Sequence, residues 1–233
     1  MVAAFNENDV FGIITTAIDG QTVNEAHLED EKKLIEVYRI AGALLKDMQN
    51  SMTGAFFGTP KEDGAPLGAA VTDPVVYIKD SINSLFASGF DKQLFDASHE
   101  RLLSWCLDNC EVFRGDKPTP TNWDFSPNNW MVDAEGRLTG LIDFENMMWG
   151  LPLDSFGVVL ERYAYEKFAL RNALFEGYGL PNNETTAIKM KILAVKMAFA
   201  DVLLGHSENN SRFYECGSRA LADLVKNKYD STC

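Results

Sequence analysis

Residues 122–144, NWDFSPNNWMVDAEGRLTGLIDF, decide the fold. Two runs within them, NWMVD and LTGLIDF, read as short strands joined by Ala-Glu-Gly, with Gly136 supplying the turn. A hairpin returns the chain on itself, so Asn129 at the start of one strand meets Asp143 near the end of the other. Asp124 stands five residues before Asn129, in a loop stiffened by Pro127, close to the same mouth. The expected arrangement is two carboxylates and one amide oxygen on a single edge, the oxygen donors that hard magnesium prefers.

Taken singly, each residue has a structural explanation. Asp124 could cap a turn, Asn129 could open a hairpin, and Asp143 could be a solvated strand end. The joint pattern is more specific, because Asp133-x-x-Gly136-Arg137, the paired strands and Trp149-Gly150-x-Pro152 all stand in register around them. Phosphoryl transfer from ATP uses this set: one carboxylate orients a hydroxyl, while a carboxylate and an amide hold magnesium on the phosphates.

Working outward, the apolar, β-branched run 10–18 ends at Asp19-Gly20 and reads as a strand. Asn24 is then placed to cap a helix over 25–50, with Leu34, Tyr38, Ala41, Leu45 and Met48 on its inner face. Residues 51–80 lose periodicity and read as a functional loop or a broken helical insert. A helix is expected over 94–113, with Leu102, Leu103, Leu107 and Cys110 inward, ended by Pro118 and Pro120. After the hairpin, helices are expected over 153–177, 184–205 and 209–228, with a Gly-Leu-Pro-Asn-Asn turn at 179–183. In the second of these, Ile188, Ile192, Val195, Phe199 and Val202 form the apolar face.

The 233 residues, 46% hydrophobic, can bury a sizeable core, and no apolar run is long enough to cross a bilayer. The opening MVAAFNENDVFG lacks the basic and apolar regions of a secretory leader, and the four cysteines lack metal-ligand spacing. Reduced thiols in a cytoplasmic protein are the expectation. The net charge of −13 disfavours nucleic acid and anionic membranes, which are themselves negative, and would suit a cationic small molecule such as an aminosugar.

The hairpin stretch resembles the D-x-x-x-x-N … I-D-[FW] segment of the aminoglycoside phosphotransferase and choline kinase family, strongly over 122–152 and weakly elsewhere. The resemblance implies an α+β, mainly α, protein-kinase-like C-lobe with a small β-hairpin and a hinge strand, the N-lobe being largely absent. Residues 1–20 would be a remnant N-lobe strand and hinge, and 21–233 the helical C-lobe. It further implies Asp124 as the catalytic aspartate and Asn129 and Asp143 as magnesium ligands. The backbone of Thr15, Thr16 and Ala17 would face the adenine of ATP. Glu161, Tyr163 and Tyr165 become candidates for an acidic, aromatic substrate floor.

Two departures from the family pattern stand out. Asn122 occupies the position where the family usually has histidine, and Gln49 stands where many relatives end the first helix in Leu-His. The Gly-rich loop, strand lysine and partner glutamate of a kinase find no room before residue 10, so inactivity of this chain by itself is an expectation. A fragment, a truncated gene model and a natural short form all fit, and in each the exposed hinge strand invites a homodimer. The competing readings are a non-catalytic binding or scaffold protein with the same fold and, more weakly, a metal-dependent hydrolase.

Overall fold

The computed structural model describes the backbone of residues 3–7 and 10–14 and all of residues 16–226. Strands β1 (Ala3–Glu7) and β2 (Val10–Ile14) form an antiparallel hairpin, registered from Ala3 opposite Ile14 to Glu7 opposite Val10. The strand expected over 10–18 therefore ends at Ile14 and has a partner that the weakly alternating AAFNE run does not announce. Residues 16–20 lie outside any strand.

Three further strands make the sheet at the site. β3 (Gln21–Thr22) pairs with β5 (Trp130–Val132), which pairs with β6 (Leu138–Leu141), all antiparallel. Alongside, β4 (Thr119–Asn122) pairs with β7 (Met147–Gly150). The turn between β5 and β6 is held by Asp133, whose carboxylate accepts the backbone N–H groups of Glu135 and Arg137 at 3.0 and 2.9 Å. Gly136 takes a φ of +78° there, a conformation costly for a residue with a Cβ. Arg137 closes the turn by donating its Nε to Asp133 at 2.7 Å.

Helices supply the rest. α1 (Val23–Ala26) is a single turn capped by Thr22, and the long α2 (Glu31–Ser51) starts only at Asp30, whose carboxylate accepts the N–H groups of Lys32 and Lys33. The helix expected from residue 25 under an Asn24 cap is thus two helices, each with its own cap. Its inner face is as expected: Tyr38, Ala41 and Leu45 are buried, with Leu34 and Met48 packed at the margin. The unpatterned stretch is a loop only to Asp73, which caps α3 (Pro74–Asp91) with proline in the first turn. Asp-Pro followed by Val75, Ile78, Ile82 and Leu85 is the start signal that the reading of 51–80 as irregular passed over.

α4 (Ala97–Asn109) continues into a tight turn at Cys110–Phe113, close to the expected 94–113. The helix expected over 153–177 is broken. α5 (Phe156–Val158) runs into a π-helical turn at Val159–Tyr163, closed by the Ala164 N–H on the Val159 carbonyl, and α6 (Phe168–Tyr178) begins afresh. α7 (Glu184–Ser207) and α8 (Ser211–Val225) follow the Gly179 turn; the last expected helical residues, 227 and 228, lie outside the described residues.

The core joins these layers. Trp130 is fully buried, with its ring edge-on to Tyr38 of α2 at 5.0 Å and tilted against Phe125 at 5.0 Å. α2 packs on α6, and α7 packs on both α3 and α8. Because α7 has neighbours on most sides, burial extends from Ile192, Val195, Phe199 and Val202 to Leu193, Ala194, Met197 and Ala198. The expected apolar stripe is the centre of a wider buried surface, with Ile188 only partly covered.

Candidate functional site

Asp124, Asn129 and Asp143 are positioned by one short polar network. The Asn129 amide donates through Nδ2 to the Asp124 carbonyl at 2.9 Å and to its Oδ2 at 3.0 Å. Both partners are acceptors, so the amide must turn its NH₂ toward Asp124, which leaves Oδ1 facing away. Ser126 donates its hydroxyl to the other Asp124 oxygen at 3.3 Å. The Asn129 carbonyl accepts the Ile142 N–H at 2.9 Å, which carries the strand pairing up to Asp143.

The second link is Asn122, at the end of β4 and 2% exposed. Its Nδ2 donates to the Asp143 carbonyl at 3.0 Å, and its Oδ1 accepts the Asp124 N–H at 2.9 Å. Its own N–H donates to the Ser155 hydroxyl at 3.1 Å. One neutral amide, with one donor end and one acceptor end, thus fastens the Asp124 loop to the Asp143 turn. The residue that departs from the family's usual histidine makes both ties.

Asp143 has a φ of +60°, the left-handed region that non-glycine residues seldom occupy and that aspartate tolerates better than most. Its side chain is exposed and makes no hydrogen bond or ion pair among the described residues. A free carboxylate and an amide oxygen turned away from Asp124 are the kinds of donor that a hard divalent cation takes. Strain of this kind clusters at functional positions, and only coordinates reveal it.

Below this edge, an ion pair sets the loop. Lys196 of α7 donates to Asp154 at 2.7 Å, with side chains 3% and 4% exposed. Asp154 also accepts the Leu151 N–H at 3.1 Å. The Lys196 ammonium lies 4.7 Å from the Trp123 ring centre, so the residue before Asp124 rests on this pair. Gln49 is buried between the Tyr178 hydroxyl, which donates to its Oε1 at 2.7 Å, and the Pro152 carbonyl, which accepts from Nε2 at 2.8 Å. It braces α2 against α6 and the Trp-Gly-x-Pro segment.

Of the expected adenine-facing residues, Thr15 lies outside the described residues, while Thr16 and Ala17 are exposed. Ile18 immediately after them is seated against Gly140 of β6, where an added Cβ would come within 2.7 Å of its Cδ1. The segment 16–22 therefore runs along the motif hairpin, joined through Thr139 Oγ1 to the Asp19 carbonyl at 3.4 Å.

Asp124 and Trp123 open onto a cavity of about 730 Å³ between α3, the π-helical turn, α7 and the start of α8. Of the three residues expected on a substrate floor, one lines this cavity. Tyr163 belongs to it, and its hydroxyl accepts from Asn128 Nδ2 at 2.6 Å. Tyr165 does not line the cavity and instead donates to Asp223 at 2.7 Å. Glu161 is buried behind the wall, where loss of water pushes its carboxyl well above the ordinary range, with Asp201 adding to the shift. Lys92, Arg162, Arg212 and Phe213 also line it; scattered from α3 to α8, they share no sequence pattern by which they could have been found.

The profile described as "Phosphotransferase enzyme family" matches residues 9–188. Among solved structures, the chain is similar to a thermostable mutant of aminoglycoside phosphotransferase APH(4)-Ia in its apo form. The TM-score there is 0.67 at 14% identity, covering 92% of this chain and 71% of that one. The GDP complex of aminoglycoside 2'-phosphotransferase-IIIa gives 0.63 at 15% identity, covering 98% and 75%. The gentamicin complex of APH(2")-IIa gives 0.58 at 18%, covering 94% and 73%. Identities this low speak for the fold. No curated protein matches significantly, and no helix among the described residues is long and apolar enough to cross a membrane.

Proposed function

The chain belongs to the phosphotransferase enzyme family, and from that premise we propose that it transfers the γ-phosphoryl group of ATP to a hydroxyl of a small molecule. The observation that carries this reading is Asp124: its carboxylate is oriented by Asn129 and Ser126 and lines a cavity large enough for a small metabolite. There it accepts a hydrogen bond from the acceptor hydroxyl, aims the oxygen, and receives the proton as the oxygen–phosphorus bond forms and the γ-phosphorus bond to the departing ADP breaks.

Asn129 through Oδ1 and Asp143 through its carboxylate are the residues that would hold magnesium. When bound, the ion neutralises charge on the phosphates. Asn122 keeps these groups in fixed relation by bonding to both segments. The backbone at Thr16 and Ala17, continuous with the Ile18–Gly140 contact, is the proposed adenine edge. In this reading residues 21–233 act as a kinase-like C-lobe and 1–20 as hinge and remnant strand. Copies would pair along the β2 edge, and the setting is the cytoplasm.

A second reading, a non-catalytic binding or scaffold protein of the same fold, has one observation in its favour. Among the described residues, no lysine or arginine forms an ion pair with Asp124 or Asp143 or a hydrogen bond to Asn129. Such cations ordinarily clamp the phosphates. Isothermal titration with ATP, with and without magnesium, separates the two. The phosphotransferase reading expects binding at least about tenfold tighter with the metal, and loss of that difference in Asp143→Asn. Absence of any magnesium dependence in the unaltered chain would leave the binding-protein reading.

A further inference from the structure

The cavity beside Asp124 has a charge pattern opposite to that of the whole protein. The chain carries a net charge of −13, yet the lining holds three cations, Lys92, Arg162 and Arg212, against a single carboxylate, Asp124. Arg162 is already compensated: its guanidinium pairs with the buried Asp201 and lies 3.8 Å over the Phe213 ring, which fixes it as part of the wall. Lys92, at the end of α3, and Arg212, in the first turn of α8, are different. Both are exposed, and neither has an ion-pair partner among the described residues. Arg212 lies 5.4 Å from the Tyr163 ring centre, a contact that satisfies no hydrogen bond.

The remaining lining is largely apolar, including Trp123, Val158, Met197, Leu203 and Phe213. Charges beside low-dielectric walls act over a longer range than charges in open water, because field lines concentrate in the cleft. A polycation entering here would meet Lys92 and Arg212 with like charge, an arrangement that suppresses binding. The acidic residue offered by sequence to receive it, Glu161, is buried behind the wall and does not line the cavity.

Resting on the phosphotransferase reading, we propose that the acceptor is a hydroxyl compound with an apolar, ring-bearing body and an anionic group, and that aminosugar polycations are excluded. The body fills the space between Trp123, Met197 and Phe213 with its hydroxyl toward Asp124. The anionic group is met by Lys92 and Arg212 at the rim. A volume of about 730 Å³ lies within the range of pockets that enclose compounds of this size.

The test uses titration calorimetry of the full chain without nucleotide, so that it is independent of the magnesium–ATP experiment. The probes are phloretic acid, its uncharged primary amide, the cationic tyramine, and kanamycin. The expected order is acid, then amide, then amine, with about tenfold between the ends and no binding of kanamycin. In Lys92→Gln/Arg212→Gln, both exposed positions, the acid should fall to the level of the amide while circular dichroism is unchanged. Tyramine or kanamycin binding as tightly as the acid, no binding of the acid, or an acid preference that survives the double variant would each overturn the proposal. If the order holds and magnesium–ATP does not bind, the pocket reading stands and the phosphotransferase reading falls; the reverse result sinks only the pocket.

Discussion

The edge carrying Asp124, Asn129 and Asp143 and the wall carrying Lys92, Arg162 and Arg212 meet at one cavity but are assembled differently. The edge is made from little more than twenty consecutive residues, folded back by a glycine turn and tied by bonds between near neighbours. The wall is drawn from α3, a π-helical turn, α7 and α8, and exists only because helices pack. Chemistry common to a family can sit on the first kind of structure. Selectivity can drift on the second, because exposed lining residues such as Lys92 carry no ion pair among the described residues that a change would break.

The comparison is most sharply tested where the two parts join. Lys196 belongs to the wall helix α7, and Asp154 to the segment that supports the edge; their side chains are almost wholly buried. Removing one partner of such a pair strands a charge away from water. Lys196→Met is expected to cost about 3–5 kcal/mol, measured by urea unfolding. Lys196→Met/Asp154→Leu removes both charges and should recover most of the loss. If the single variant is nearly neutral, the two parts are not mechanically joined through this pair.

A smaller effect is expected inside the edge. Asn122→Ala deletes both side-chain ties, leaving the Asp124 N–H and the Asp143 carbonyl without their partners. About 1–3 kcal/mol is expected for such a loss, with magnesium-dependent nucleotide binding weakened in step. Asn122→His offers one donor and one acceptor nitrogen and should restore part of both. A stability loss with nucleotide binding untouched would show that Asn122 supports the fold alone.

The same contrast explains what could be read from sequence. The hairpin, the buried faces of α2 and α7, and the neighbourhood of Asp124, Asn129 and Asp143 were legible because hydrogen-bond register and helix period act over short spans. The left-handed backbone of Asp143 was not, since no glycine or asparagine stands there to announce it. Nor was the split of 153–177, where no glycine or proline marks the break between the π-helical turn at Val159–Tyr163 and α6. The start of α3 was legible in Asp73-Pro74 but hidden by the irregular loop before it. The cationic rim was beyond any one-dimensional pattern, with Lys92 and Arg212 joined only by the fold.

Glu161 gives the most delicate separation of wall from edge. Its Oε1 is buried without a hydrogen-bond partner, and burial, reinforced by Asp201, pushes its carboxyl well above the ordinary value near 4.5; Arg162 and Arg219 oppose this only in part. The folded chain therefore keeps this proton at a pH where the unfolded chain has lost it. Folding then becomes less favourable as pH rises above the unfolded value, until the folded group itself ionises. Glu161→Gln replaces the neutral acid with a neutral amide of similar shape and removes that dependence. Its Tm should exceed that of the unaltered chain at pH 8 by about 2–4 °C, and the two should converge below about pH 4. Some slope should persist, because burial also raises Asp201 and Asp116. An identical pH profile for both chains would mean that Glu161 is ionised in the folded state, and the wall would then hold the acidic character that its lining lacks.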